Sequence, residues 1–258
     1  MKVVIFAGGQ GSRLSEETVA KPKPMVEIGG KPILWHIMKI YSHYGFNEFI
    51  ICLGYKGDLI KEWFANYFLH NSDITIDLKE NSITTHQNNA ENWKVTLIDT
   101  GLNSMTATRL AKVKDYIGNE DFMLTYGDGV SNVDIKKLLD FHKSHNKIAT
   151  VTAVRPDGRF GILKVNQESG QVDGFVEKNE GRSEWINGGF FVLRPEVFSY
   201  LPEDDVMWEM GPMQKLSADK EIMAFVHDGF WKAMDTLRDK NQLDSIWNSE
   251  KPAWKLWS

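Results

Sequence analysis

The sequence predicts an α/β protein with a mostly parallel sheet, helices on both faces, and a small β-rich elaboration. Three observations carry this prediction. β-branched and aromatic runs alternate with segments of helical period through the first 154 residues. Several of those runs are apolar throughout, as strands covered on both faces must be. After about residue 155 glycine-punctuated strands take over. One domain follows. Its α/β core covers about 1–154, the β-rich part about 155–235, and a C-terminal helix and tail about 236–258.

Element by element, "KVVIFAG" reads as a buried strand ended by glycine. "KPILWHIMKIYSHYG" reads as a helix, with Pro32 at its first turn, Gly45 as its C-terminal cap, and Ile33, Ile37, Ile40, Tyr41 and Tyr44 at helical spacing. "EFIICLGY" is a second buried strand and "DLIKEWFANYFLH" a second helix. "DITIDLKE" and "KVTLIDTG" are further strands, "MTATRLAKVKDYIG" one helix, "DFMLTYGDG" a strand ending in a turn, and "VDIKKLLDFHKSHN" a helix. "IATVTAV" is again a strand. "FGILKVNQESGQVDGFVEK" reads as a hairpin with a Ser-Gly turn, "INGGFFVLR" as one strand with two glycines, and "LRDKNQLDSIWN" as the last helix. The arrangement is Rossmann-like, and ligands of such sheets bind beyond the carboxyl ends of the strands.

Apolar residues make up 42% of the chain and charged residues 25%, so a packed core is expected. A net charge of −5 argues against a nucleic-acid partner. The lone Cys52 sits in an apolar run and reads as a small buried hydrophobe. No run approaches the roughly 20 apolar residues of a membrane helix, and no signal peptide is read at the N-terminus, so the cytoplasm is expected. His142 and His145 share a helix face without a third ligand near in sequence and read as solvated, or as sitting at the helix end where positive charge is favoured. Trp247, Trp254 and Trp257 in the tail read as a subunit interface, the plain alternative being anchors that fold the tail onto its own domain.

The stretch Val3 to Leu34 holds five glycines, one arginine and three lysines. Gly8, Gly9 and Gly11 allow a sharp turn and close backbone approach to an anion. The spacing is not that of a dinucleotide fingerprint, and no Gly-Lys-Ser/Thr closes a P-loop. No helix is expected in "SEETVAKPKP", which reads as loop. Arg13 offers a planar fork for phosphate oxygens, and Lys23, held between two prolines, offers a point charge. Asp128, in "YGDG" at a strand's carboxyl end, suits a Mg²⁺ carboxylate; the alternative is an ordinary turn aspartate. Asp235 is a second candidate ligand, with Thr236 then capping the helix that starts near Leu237; the alternative is Asp235 itself as that N-cap.

These motifs together resemble the sugar-1-phosphate nucleotidylyltransferases. "AGGQGSRLSEETVAKPKPMVEIGGKPIL" follows that family's G-G-x-G-[ST]-R-L and P-K-P-[ML] pattern, and "YGDGV", a Glu-Lys pair, "NGGFFVL" and a late Trp-x-x-x-Asp-Thr keep the family's order over essentially the full length. The nearest branch takes CTP and glucose 1-phosphate. Ala107 and Thr108, where that branch is expected to carry two glycines, depart from it, as does the missing proline after Glu177–Lys178.

The resemblance implies attack of a sugar-1-phosphate oxygen on the α-phosphorus of a nucleoside triphosphate, with Mg²⁺, releasing pyrophosphate. It implies that Arg13 and Lys23 are catalytic. The nucleotide would be bound by Phe6, Ala7, Gly8, Gly9, Gln10, Gly11, Ser12, Arg13, Lys23, Ser104, Arg109 and Asp128. Glu177, Lys178, Asn187 and Gly188 would bind the sugar phosphate, and Asp128 and Asp235 the metal. A homo-oligomer, as large as a hexamer, is implied too. Arg109 could instead lie on a solvated helix face, and Glu177–Lys178 at an exposed strand end. A nucleotide-sugar-dependent glycosyltransferase would place Asp-x-Asp at the acidic turn, whereas Tyr126 and Val130 stand two residues either side of Asp128. A non-catalytic nucleotide-sensing subunit would be expected to lack Lys23 or a metal aspartate.

Overall fold

A computed structural model describes the backbone of residues 1–156, 162–165, 171–176 and 184–257, and the side chains of these residues outside 162–165 and 172–176. The described strands are β1 (Val3–Ala7), β2 (Glu27–Ile28), β3 (Lys31–Pro32), β4 (Glu48–Leu53), β5 (Ser72–Asp77), β6 (Ser82–Asn88), β7 (Lys94–Asp99), β8 (Phe122–Tyr126), β9 (Gly129–Ser131), β10 (Ala149–Val154), β11 (Ile162–Val165), β12 (Val172–Val176), β13 (Ile186–Asn187), β14 (Phe191–Leu193), β15 (Ile222–His227) and β16 (Trp231–Ala233). The helices are α1 (Ser15–Thr18), α2 (Ile33–His43), α3 (Gly57–His70), α4 (Thr106–Lys112), α5 (Lys114–Ile117), α6 (Ile135–Ser144), α7 (Pro212–Ala218) and α8 (Leu237–Trp247).

β1 lies in the middle of the central sheet, whose order is β13-β10-β14-β8-β1-β4-β7, with β15 added beside β10. β1, β4, β7 and β8 are mutually parallel, while β14 runs antiparallel to both β8 and β10. The register puts Phe6 beside Cys52 on one side and Tyr126 on the other, so the carboxyl ends of β1, β4 and β8 open on one rim.

Strand alternation divides the core in two. Val3, Ile5, Phe49, Ile51 and Met123 face a layer built by α2, α6 and the C-terminal segment. Val4, Phe6, Ile50, Cys52, Phe122 and Leu124 face α4, α5 and α7. Both faces are covered, which is why these strands are apolar at consecutive positions. Cys52 is fully buried.

Several expectations are corrected. The helix over residues 105–118 is broken at Val113, whose backbone leaves the helical region (φ −105°, ψ 5°) while its side chain is buried. A β-branched residue is a weak helix former, so its packing sets the break. "INGGFFVLR" is interrupted between β13 and β14, because Gly189 and Phe190 take positive φ (74° and 50°). The strands after residue 155 divide between sheets. β13, β14 and β15 complete the central sheet, while the β11–β12 hairpin and β16, which pairs with β9, stand apart from it. β6 was missed because all its residues are exposed and all but Ile83 are polar, leaving no alternation to read.

The two histidines do lie at the end of α6, but His142 is not solvated and neither is favoured in the charged form. His142 is fully buried, its Nδ1 lies 2.8 Å from Thr150 Oγ1, and burial pushes its pKa down to about 4. It is therefore neutral near pH 7. His145 is the C-terminal cap of α6, with its pKa also lowered by burial and then by Arg194. The tryptophan tail folds onto its own domain. Trp254 is fully buried, with its ring stacked on Phe230, and Trp247 and Trp257 pack around His36.

Candidate functional site

The rim above β1 and β8 opens into a cleft of about 470 Å³. Phe6, Ala7, Gly8, Gly9, Gly11, Ser12 and Arg13 form one wall, with Lys23, Ser104, Arg109 and Asp128 facing it. Of the residues expected to hold a nucleotide, Gln10 alone is not in the lining.

The loop after β1 is shaped by its glycines. Gly11 adopts a left-handed conformation (φ 65°), and Leu14 N then donates to Gly11 O to close a 3-10 turn, Ser12–Leu14. This turn continues into α1, so "SEET" is helical, which corrects the loop expectation. Leu14 is buried and Thr18 Oγ1 donates to Leu14 O, so tertiary packing and one back-bond carry this single helical turn. Gly8 has a different reason. A Cβ there would lie 2.2 Å from Arg109 Nη1. A Cβ on Gly9 would meet no protein atom within 4 Å, so its surroundings on the cleft side are open.

Arg109 is not on a solvated face. It is buried, and its guanidinium donates to the carbonyls of Leu53 (2.8 Å), Gly101 (2.8 Å) and Gly8 (3.1 Å) and to Thr100 Oγ1 (2.7 Å). It ties the rims of β1, β4 and β7 together from α4, and burial lowers its pKa. Thr108 and Ala107 stand where glycines were expected. Thr108 Oγ1 donates to Asp205 (2.6 Å), and Ala107 is buried beneath the segment that carries Val206.

Lys23 leads a second 3-10 turn, Lys23–Met25, behind Pro22. Its ammonium donates to Asp128 Oδ2 at 2.7 Å and Asp235 Oδ1 at 2.8 Å. Burial acts to lower its pKa, but the two carboxylates more than offset this and the net shift is upward, so it stays charged. Arg13 reaches Asp235 Oδ1 at 3.3 Å from an exposed position.

Asp128 and Asp235 meet because β9 and β16 pair. Gly129 lies opposite Ala233, and Met234 N donates to Asp128 O at 2.8 Å. The N-cap of α8 is Thr236, locked in a capping box with Asp239, so Asp235 is free for the cleft. The two carboxylates face the same Lys23 ammonium, and their oxygens are the ligand type a hard divalent cation takes, completed by phosphate oxygens and water. Among the described residues no group of three potential ligands could hold a metal without such help.

Toward the β14 side, Asn187 Nδ2 donates to Tyr126 Oη at 3.0 Å, and its Oδ1 accepts from Gly189 N. Gly188 is buried, with its carbonyl bonded by Trp231 Nε1 at 2.7 Å. Ser104 Oγ donates to Thr100 O. Glu177 and Lys178 lie outside the described residues. The sequence reading missed Pro24, Met105, Thr106, Tyr126, Gly127, Met207 and Glu209 as cleft residues. Tyr126 and Gly127 were within reach, being next to Asp128. Met207 and Glu209 carried no local signal, since a distant segment brings them in.

A covered, mostly parallel sheet with a glycine loop, a lysine and two carboxylates at its carboxyl rim defines a nucleotide-binding α/β protein. The comparisons narrow this. The sequence profile of the nucleotidyl transferase family matches residues 2–239, and the chain belongs to that family. It is 56% identical over its full length to the glucose-1-phosphate cytidylyltransferase of Salmonella typhi, and 45% identical to the probable glucose-1-phosphate cytidylyltransferase of Bacillus subtilis (strain 168); each alignment covers all of both chains. Among solved structures it is similar to HddC from Yersinia pseudotuberculosis complexed with GMP-PN (TM-score 0.67, 25% identity, 96% of this chain and 99% of that one). A UDP-glucose pyrophosphorylase from Acinetobacter baumanii shares the fold (TM-score 0.70, 16% identity, 98% and 95% covered).

Proposed function

We propose that the chain transfers a cytidylyl group from CTP to glucose 1-phosphate, giving CDP-glucose and pyrophosphate. One observation carries the chemistry: Lys23 and Asp128 line the glycine-loop cleft, and the Lys23 ammonium bridges Asp128 to Asp235 beside it. The full-length identity to the Salmonella typhi enzyme supports the choice of base and sugar.

The sugar phosphate is already ionised at neutral pH, so no general base is required. The task is to align two repelling anions and stabilise charge as it moves. The amides around Gly8, Gly9 and Gly11 would cradle the triphosphate. Lys23 would stabilise the α-phosphate during transfer, and Arg13 would hold the departing pyrophosphate with its fork. Asp128 and Asp235 would hold Mg²⁺, which supplies positive charge to the phosphate oxygens. Ser104 and Arg109 lie on the nucleotide side, Asn187 and Gly188 on the sugar side. Glu177 and Lys178 complete the sugar-phosphate site in this reading, the protein acts in the cytoplasm, and the assembly is a homo-oligomer of up to six chains.

The test is pyrophosphate release with Mg²⁺ and glucose 1-phosphate across CTP, UTP, dTTP, ATP and GTP, for the wild type and Asp128→Asn. Release with CTP that drops about 100-fold or more in the variant is expected. Release with another nucleotide alone would sink the choice of base, and no release with any would sink the reading.

A further inference from the structure

Glu209 is a carboxylate in a cleft meant for phosphates. Among the described residues no Lys or Arg forms an ion pair with it. Its position is nevertheless fixed. Tyr126 Oη donates to Glu209 Oε1, and Thr106 Oγ1 approaches Oε2 at 3.5 Å. Since a carboxylate only accepts, the phenol proton must point to Glu209, and Tyr126 then accepts from Asn187 Nδ2 at 3.0 Å. The polar chain Asn187–Tyr126–Glu209 thus has one direction. Asn187 Oδ1 is locked by Gly189 N, at the positive-φ break between β13 and β14.

A carboxylate offers about four lone-pair sites, and these two donors leave acceptor capacity toward the cleft. What could meet it? Phosphate would be repelled. Among the described residues Glu209 belongs to no group of three potential metal ligands. Neutral hydroxyl donors remain, and the cleft would hold two polyols, a ribose and a hexose. Glu209 stands between the two sides: its contact with Thr106 at the start of α4 is at 3.5 Å, whereas the direct Tyr126 bond leads on to Asn187 and β14, and this firmer link points to the hexose.

We infer that Glu209 is a specificity-determining residue that accepts hydrogen bonds from hydroxyls of the incoming hexose, with Tyr126 as its positioning residue. This rests on the nucleotidylyl-transfer reading above and deepens it. It also accounts for the segment 205–209. Met105 N and Thr108 Oγ1 donate to Asp205, and Trp208 N donates to Thr106 Oγ1, so the start of α4 pins the segment that delivers Glu209 to the cleft.

The experiment is steady-state kinetics of wild type, Glu209→Gln, Glu209→Ala and Tyr126→Phe. The substrates are CTP or 2′-deoxy-CTP, with glucose 1-phosphate or its 2-, 3-, 4- and 6-deoxy analogues. Removal of a recognised hydroxyl is expected to cost the wild type about tenfold or more in kcat/KM. Both Glu209 variants should lose that discrimination while the KM for CTP moves by less than about twofold. Tyr126→Phe should raise the KM for glucose 1-phosphate and blunt the discrimination partly. Loss of discrimination against 2′-deoxy-CTP instead would assign Glu209 to the ribose and overturn the inference. Unchanged hexose discrimination in both variants, whatever the melting temperature, would overturn it as well. A wild type inactive on every pair would sink the underlying reading, whereas an active wild type with unchanged ratios sinks only this one.

Discussion

Gly8 shows how much one side chain's absence can organise. Its missing Cβ gives Arg109 the room to reach the carbonyls of Gly8, Leu53 and Gly101, and a buried guanidinium without those acceptors would be costly. Gly54 leaves room for the same group, with a Cβ there 2.6 Å from Arg109 Nη1. Gly8→Ala is therefore expected to displace Arg109 and destabilise the fold by about 1–3 kcal/mol, as overpacking does. The same change should raise the KM for CTP. Denaturant unfolding with nucleotide kinetics checks both, and a variant as stable as wild type with Arg109 unmoved would refute the account. Lys23 makes the complementary point. Its charge and its proline-fixed position are written locally, whereas its two carboxylate partners arrive from distant segments.

At the scale of elements, the last segment of chain is as structural as any strand. α8 begins with the Thr236–Asp239 capping box, which frees Asp235 for the cleft, and the tail beyond it sends Trp254 into the core against Phe230. Trp254 Nε1 also meets His36 Nδ1 at 3.4 Å, and His36 Nε2 lies 2.8 Å from Ile28 O, so the tail braces the β2–β3 turn that follows the Lys23 segment. Trp254→Ala is expected to cost about 3–5 kcal/mol, the range for truncating a buried aromatic. A loss below about 1 kcal/mol on chemical unfolding would return the tail to a surface role.

Across the whole molecule, buried histidines set the response to acid. His36 and His142 are fully buried, and burial pushes each pKa from 6.5 down to about 4. The groups facing His142 are Thr150, His145 and Arg194, of which the last two further disfavour its proton. Between about pH 6.5 and 4 the unfolded chain holds protons that the folded one refuses, so stability rises with pH across that window and falls on acidification. Each histidine contributes a slope of at most about 1.4 kcal/mol per pH unit. Unfolding titrations at pH 4 to 7 should show this, and His142→Gln should flatten the curve. An unchanged slope in the variant would contradict the assignment.

The sequence by itself determined the layered α/β class, the strands β1, β4, β5, β7, β8 and β10, and the phosphate-directed reading of the loop at Gly8 to Arg13. Those features rest on local physics, namely apolar runs, turn glycines and the rigidity of Pro-Lys-Pro, which neighbouring residues can express. Only the tertiary structure decided the rest. The ladder of β9 with β16 brings Asp235 to Asp128 and Lys23. The α4-pinned segment carries Glu209 to Tyr126. The burial of His142 and Trp254 turned a solvated pair into a neutral one and a presumed interface into core. None of these has a local signature, because each depends on which distant backbone supplies the partner, and a side chain's charge and exposure are set by that partner.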